Sequence, residues 1–225
     1  MSVVNSILTS KWTKVAVFLA CLAPFGVLAW RFVRATVYGD PTLGPNPLET
    51  LTHFTGDWTI RFIAATLAIT PLRKLLRQPD LIRYRRMIGL YAFFYGCLHF
   101  TVYLYFDKLF DWGAIVKDVA KRPFITAGFA TFLFMLPLAL TSTAGWIRRL
   151  GGKRWQRLHR LVYAAGIAAV VHYYWLVKSD IRLPLLYGAI IGSLLLYRLV
   201  RQTSRPAPAE GRALARSAPP VQSNS

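Results

Sequence analysis

Four histidines are the residues of this 225-residue chain best placed to do chemistry. His99 and His172 lie deep within apolar runs, His159 opens the run that holds His172, and His53 stands just before another. A helix rises about 1.5 Å per residue, so the stretch from Arg86 to His99 covers roughly 20 Å and that from Arg160 to His172 roughly 18 Å. Arg86 and Arg160 mark the same membrane surface, which sets the two histidines at matched depth on different helices. Neutral imidazoles so arranged are what bis-histidine ligation of a haem requires, one ring on each side of the porphyrin plane. Small residues leave room for a flat ring, with Ala169, Ala168 and Ala165 on the face of His172 and Gly96 one turn before His99. The competing reading is packing alone, in which small residues let helices approach and each imidazole donates to a neighbouring carbonyl.

His159 sits roughly 20 Å below His172, near the inner surface, where a second haem could bind. On a straight helix the two side chains point some 140° apart, by about 100° per residue, so ligation there needs a bend or an off-axis ring. An ordinary interfacial histidine between Arg157 and Arg160 is the plainer alternative. His53, near the outer surface and one turn before Asp57, could line a quinone pocket or touch a haem edge. Arg61 could hold a haem propionate, or snorkel to lipid headgroups. Cys21 and Cys97 fall within apolar runs and read as small hydrophobes. No nucleophile triad, paired-carboxylate arrangement, Cys-x-x-Cys pair or phosphate-cradling glycine motif is present, which argues against a hydrolase and against a complete active site within this chain. The Tyr- and Trp-rich strings match membrane-interface belts.

The elements that must position these residues follow from composition. With 55% hydrophobic and 16% charged residues, the chain is too apolar for an ordinary soluble domain. A helix crossing the hydrocarbon layer needs about 20 apolar residues. Six such runs occur, near 15–32, 54–72, 87–106, 123–141, 159–177 and 183–200, the second carrying Asp57 and Arg61 in its first turns. The expected fold is therefore an all-α integral membrane protein, a six-helix transmembrane bundle over residues 1–200. Gly188 and Gly192 form a small-xxx-small pair in the last run, a packing device.

Charge then sets the orientation. A formal net charge of +19 could suggest a nucleic-acid binder, but the basic residues sit in short loops between apolar runs, not on one folded face. The N-terminus, the "RKLLRQPDLIRYRR" and "IRRLGGKRWQRLHR" loops and the segment from Arg198 onward hold 19 Lys+Arg and 2 acids; the alternate set holds 9 Lys+Arg and 7 acids. By the positive-inside rule both termini are expected in the cytoplasm. Residues 201–225, rich in Ala, Pro, Arg and Ser, are expected to form a disordered cytoplasmic tail.

The strings "HFTGDW", "ITPLRKLLRQPDLIRYRRMIGLYAF", "CLHFTVY", "KRPFITAGF", "LALTSTAGWIRRLGGKRWQRLHRLVY" and "HYYWLVKSD" together resemble the MsrQ family, formerly YedZ, of the ferric-reductase-like transmembrane group. The resemblance runs from about His53 to Asp180. It implies a bacterial inner-membrane subunit carrying haem b, one or two, and FMN. Such a subunit passes electrons from the quinol pool or a cytoplasmic flavin reductase to a periplasmic molybdopterin reductase, MsrP, which repairs methionine sulfoxide in oxidised periplasmic proteins. The haem-iron ligands it implies are His99, His172 and His159. Oxidases of the wider group carry two histidines on the third helix, whereas Arg85 and Arg86 occupy the positions of the inner one here. An inner haem on His159 would need another partner or a single protein ligand. The rival from a different class is a non-redox transporter or scaffold whose histidines relay protons or bond helices together.

Overall fold

The computed structural model describes residues 3–177 and 179–203, with side chains over 6–177 and 179–201. The tail expected from residue 201 lies almost wholly outside the described residues. Among the described residues ten α-helices follow in order: α1 (Val3–Thr9), α2 (Lys11–Val37), α3 (Pro47–Leu75), α4 (Arg85–Thr101), α5 (Trp112–Lys121), α6 (Pro123–Leu140), α7 (Ala144–Leu150), α8 (Gly152–Leu158), α9 (Leu161–Leu176) and α10 (Arg182–Thr203). No strand occurs among the described residues.

Local chemistry sets the starts of these helices. Ser10 caps α2, its Oγ accepting from the Trp12 N–H at 3.2 Å. Asn46 caps α3 in the same way, accepting from the Glu49 N–H, with Pro47 at the first helical position. That cap begins the helix well outside the apolar run, so α3 carries a polar first half. Asp111 caps α5 through the Ala114 N–H at 3.0 Å. Gly151, at φ 72°, closes α7 and turns the chain into α8.

Among the described residues four helical stretches are long and apolar enough to cross a membrane, namely Lys11–Val37, Pro79–Asp107, Pro123–Leu140 and Arg182–Arg201. The other two expected spans differ for identifiable reasons. Helix α9 has only 16 residues, because the chain turns at His159 and Arg160 before it begins. Helix α3 has 29 residues but carries Glu49, Asp57 and Arg61.

The core lies where α3 meets α4, α9 and α10. Ile63, Leu67, Tyr95, Ala165 and Ile191 are almost completely buried there. Helix pairs α3–α4 and α6–α9 make the most extensive contacts in the molecule. Phe62 stacks on Tyr95 with ring centroids 5.3 Å apart, and Trp58 and Tyr91 extend the same aromatic column. Helix α2 joins this column at its internal proline. Pro24 weakens the helical ladder, and the Tyr95 hydroxyl enters it, accepting from the Phe25 N–H at 2.9 Å and donating to the Cys21 carbonyl at 3.0 Å. At the far end of α10 the buried Arg198 donates to the Tyr163 hydroxyl at 2.8 Å, the Leu67 carbonyl at 2.8 Å and the Thr70 hydroxyl at 3.2 Å.

Candidate functional site

The bundle brings His99 of α4 and His172 of α9 together. Their ring centroids are 6.1 Å apart with planes inclined at 77°. Both rings border a cavity of about 280 Å³ whose wall includes Gly96, Phe100, Gly128 and Ala169. Each imidazole is held through the same atom. Nδ1 of His99 lies 3.0 Å from the Thr52 carbonyl of α3, and Nδ1 of His172 lies 2.6 Å from the Phe124 carbonyl of α6. A carbonyl oxygen can only accept, so Nδ1 carries the proton on both rings. The neutral tautomer so fixed leaves Nε2 as a lone-pair donor on each. This is how metal-binding histidines are commonly held, one nitrogen donating to a carbonyl while the other ligates.

Metal–imidazole bonds of about 2 Å on either side of one ion place ring centroids about 6 Å apart. The observed centroid separation is of that size. Of the small residues expected to make room, Gly96 and Ala169 line the cavity, Gly96 facing the methyl end of Met135, whereas Ala165 borders a different cavity and Ala168 is not part of the wall. Thr55 adds a further contact, its Oγ1 lying 3.3 Å from Nδ1 of His99 while it donates to the Leu51 carbonyl at 2.7 Å.

The remaining expected residues are not drawn to this pair. His53 lines the rim of the same cavity and is exposed. Arg61 points elsewhere, donating to the Tyr187 hydroxyl at 3.1 Å, pairing with Asp57 at 3.5 Å and lying over the Trp58 ring. His159 borders a second cavity, of about 520 Å³, together with Arg85, Arg86 and Arg160. Its ring lies on Trp155 with centroids 3.9 Å apart, and Trp155 Nε1 donates to the Thr141 carbonyl at 2.9 Å. Nε2 of His159 is 3.2 Å from Thr141 Oγ1, which directs its own proton to the Pro137 carbonyl at 2.6 Å. The hydroxyl therefore accepts from Nε2, and His159 presents Nδ1, the opposite nitrogen from the other two. No second histidine borders that cavity.

Sequence reasoning does not reach Thr52, Phe124, Thr141 or Trp155. The first two act through backbone carbonyls, which any residue type supplies. A signal was nonetheless present in "HFTG" and "FITAG", where a glycine follows near each carbonyl.

Residues 55–170 match the family model described as the ferric reductase like transmembrane component. A protein of Herminiimonas arsenicoxydans is 52% identical over 188 residues, covering 83% of this chain and 84% of its own length. One from Xanthomonas campestris pv. campestris (strain 8004) is 49% identical over 191 residues, covering 85% and 87%. A third, from Xanthomonas oryzae pv. oryzae (strain MAFF 311018), is 48% identical over 207 residues, covering 92% and 93%. All three carry the name protein-methionine-sulfoxide reductase heme-binding subunit MsrQ. No solved structure matches the chain.

Proposed function

The chain belongs to the MsrQ family within the ferric-reductase-like transmembrane group, and from that premise we propose that it is a transmembrane electron conduit carrying haem b between His99 and His172. The observation that carries this reading is the pair of imidazoles 6.1 Å apart, each with Nδ1 on a backbone carbonyl and Nε2 free. Bound there, haem b would supply reversible one-electron chemistry. The chain's own part is to hold both ligands in one tautomer, to surround the site with apolar side chains and to admit a flat ring past Gly96 and Ala169. Electrons enter from the quinol pool or from a cytoplasmic flavin reductase. They leave to a periplasmic molybdopterin reductase of the MsrP kind, which returns methionine sulfoxide in oxidised proteins to methionine. This places the chain in the bacterial inner membrane, with both termini in the cytoplasm.

The larger cavity beside His159 is the place for a second haem or for FMN. Its three arginines suit carboxylate or phosphate groups, which guanidinium binds in a planar fork. Ligation by His159 would use Nδ1, or would exchange the Thr141 bond for metal. At the outer rim His53 is placed to contact a haem edge or quinone, and Arg61 to reach a propionate by leaving Tyr187.

The test is a haem count on the purified chain. A b-type spectrum that quinol reduces, and that falls at least fivefold in His99→Ala and in His172→Ala, is the expected result. A colourless preparation from haem-replete cells would overturn the reading and favour a non-redox membrane protein. Unchanged haem in both variants would move the site elsewhere. A haem count near two that falls to one in His159→Ala would assign the second cavity to haem.

A further inference from the structure

The two histidines are seated in the same way by two different helix pairs. The carbonyl that accepts from His99 belongs to Thr52, and the residue one helical turn further along α3 is Gly56. A methyl group placed on Gly56 would lie 3.2 Å from both Nδ1 and Cε1 of His99. The carbonyl that accepts from His172 belongs to Phe124, and the residue one turn further along α6 is Gly128. A methyl group there would lie 2.8 Å from Nδ1 and 2.9 Å from Cε1 of His172. In each case the helix beside the histidine offers a carbonyl to hold Nδ1 and, one turn on, a bare backbone that the Nδ1–Cε1 edge of the ring approaches. The sequence offsets are nearly equal, at 47 residues for the first pair and 48 for the second.

We propose that Thr52 with Gly56, and Phe124 with Gly128, are matched positioning seats that fix the depth and rotation of the two axial imidazoles. This rests on haem ligation by His99 and His172. The seat works by subtraction. In the native chain the ring reaches its carbonyl because no Cβ stands in the way. A methyl group would push it off the carbonyl and toward the cavity, lengthening the Nδ1 hydrogen bond and turning the imidazole plane. The two seats are not equally tight. At Gly128 the methyl group would meet the ring at a distance that real Cβ atoms do not show, and the neighbour is a rigid ring held at that same edge by the Phe124 carbonyl. At Gly56 a displacement of a few tenths of an ångström suffices.

Alanine is a better helix former than glycine, so neither substitution weakens its own helix. Gly192→Ala on α10 supplies the control, since nothing lies within 4 Å of a methyl group there. The experiment compares Gly56→Ala, Gly128→Ala and Gly192→Ala in the full chain reconstituted in lipid nanodiscs. It reads haem transfer to apomyoglobin and the low-spin electron paramagnetic resonance spectrum of the ferric haem. Loss of a partner that orients a metal-bound histidine typically weakens metal affinity about 10–100-fold. Gly128→Ala should fall in that range and shift the largest g-value, Gly56→Ala should shift it less, and Gly192→Ala should match the native chain. Native affinity and an unshifted spectrum in Gly128→Ala would overturn the seats while leaving the haem assignment intact. So would equal losses in Gly192→Ala, which would make the effect one of general packing. Haem that is absent from the native chain, or indifferent to His99 and His172, would instead fail the assignment beneath it.

Discussion

Imidazole has two nitrogens, and which one the protein holds decides what the other can do. His99 and His172 are both held at Nδ1 and expose Nε2, whereas His159 is held at Nε2 against Thr141. That the first two residues lie level with each other was legible from helix rise alone, counted from Arg86 and Arg160, and their rings are 6.1 Å apart. Their hydrogen-bond partners were not, since a carbonyl has no side-chain signature. Arg198 shows the same limit at a charged residue. It appears in sequence as one more basic residue at an inner boundary, yet it is buried, with Tyr163, Leu67 and Thr70 accepting from its guanidinium and no carboxylate paired with it among the described residues. Hydrogen bonds to a charged group contribute about 1.5–3 kcal/mol each, offset here by the cost of burying the charge. Arg198→Met keeps the stem and removes the donors. We expect it to destabilise the protein by about 2 kcal/mol, read as a lower midpoint of thermal unfolding in detergent, with haem content unchanged.

At the scale of elements, the strongly apolar helices were legible and the short ones between them were not. Hydropathy identifies α2, α6 and α10 because nothing interrupts their apolar runs, but α5, α7 and α8 are too short and too mixed to register. Helix α5 has a defined task despite its length. Ile115 and Val119 form part of the wall of the histidine cavity, and the helix is tied down by Asp118. Asp118 accepts from Lys108 Nζ at 2.7 Å and pairs with Arg122 at 3.4 Å. The hydrogen bond from Lys108 holds the Asp118 carboxyl below its usual range. A carboxylate whose native pKa is depressed contributes stability that is complete above its unfolded value, about 3.9, and is lost as the pH falls through the native one. The protection of amides in residues 112–121 relative to an unfolded chain should therefore be high at pH 6 and fall below about pH 4. Asp118→Asn should show the faster exchange already at pH 6. Equal exchange in the two chains at pH 6 would detach α5 from this anchor.

At the scale of the whole molecule, two helix pairs, α3–α4 and α6–α9, meet at the histidines, with α2 and α10 packed around them. Neither pair resembles the other in sequence, and no internal repeat is visible. The equivalence lies in backbone geometry, one carbonyl and one glycine per pair, which can persist with no shared side chains. The proposed six crossings would put both termini on one side, and by the positive-inside rule the distribution of Lys and Arg makes that side the expected cytoplasmic one. Reporter fusions at residues 10 and 203 should both be active in a cytoplasmic assay and silent in a periplasmic one; opposite results at the two ends would require an odd count. Helix α2 carries a consequence for the order in which the chain is made. Between Cys21 and Phe25 its ladder is completed by the hydroxyl of Tyr95, some seventy residues downstream. When α2 leaves the ribosome that hydroxyl does not yet exist, and a backbone group left unsatisfied in hydrocarbon costs several kcal/mol. Helix α2 should therefore stay beside the translocon or among headgroups until α4 arrives, so that the first long helix synthesised settles only after the third. Tyr95→Phe should then slow release of α2 into lipid in a co-translational crosslinking assay, an effect on biogenesis that the finished fold would not reveal.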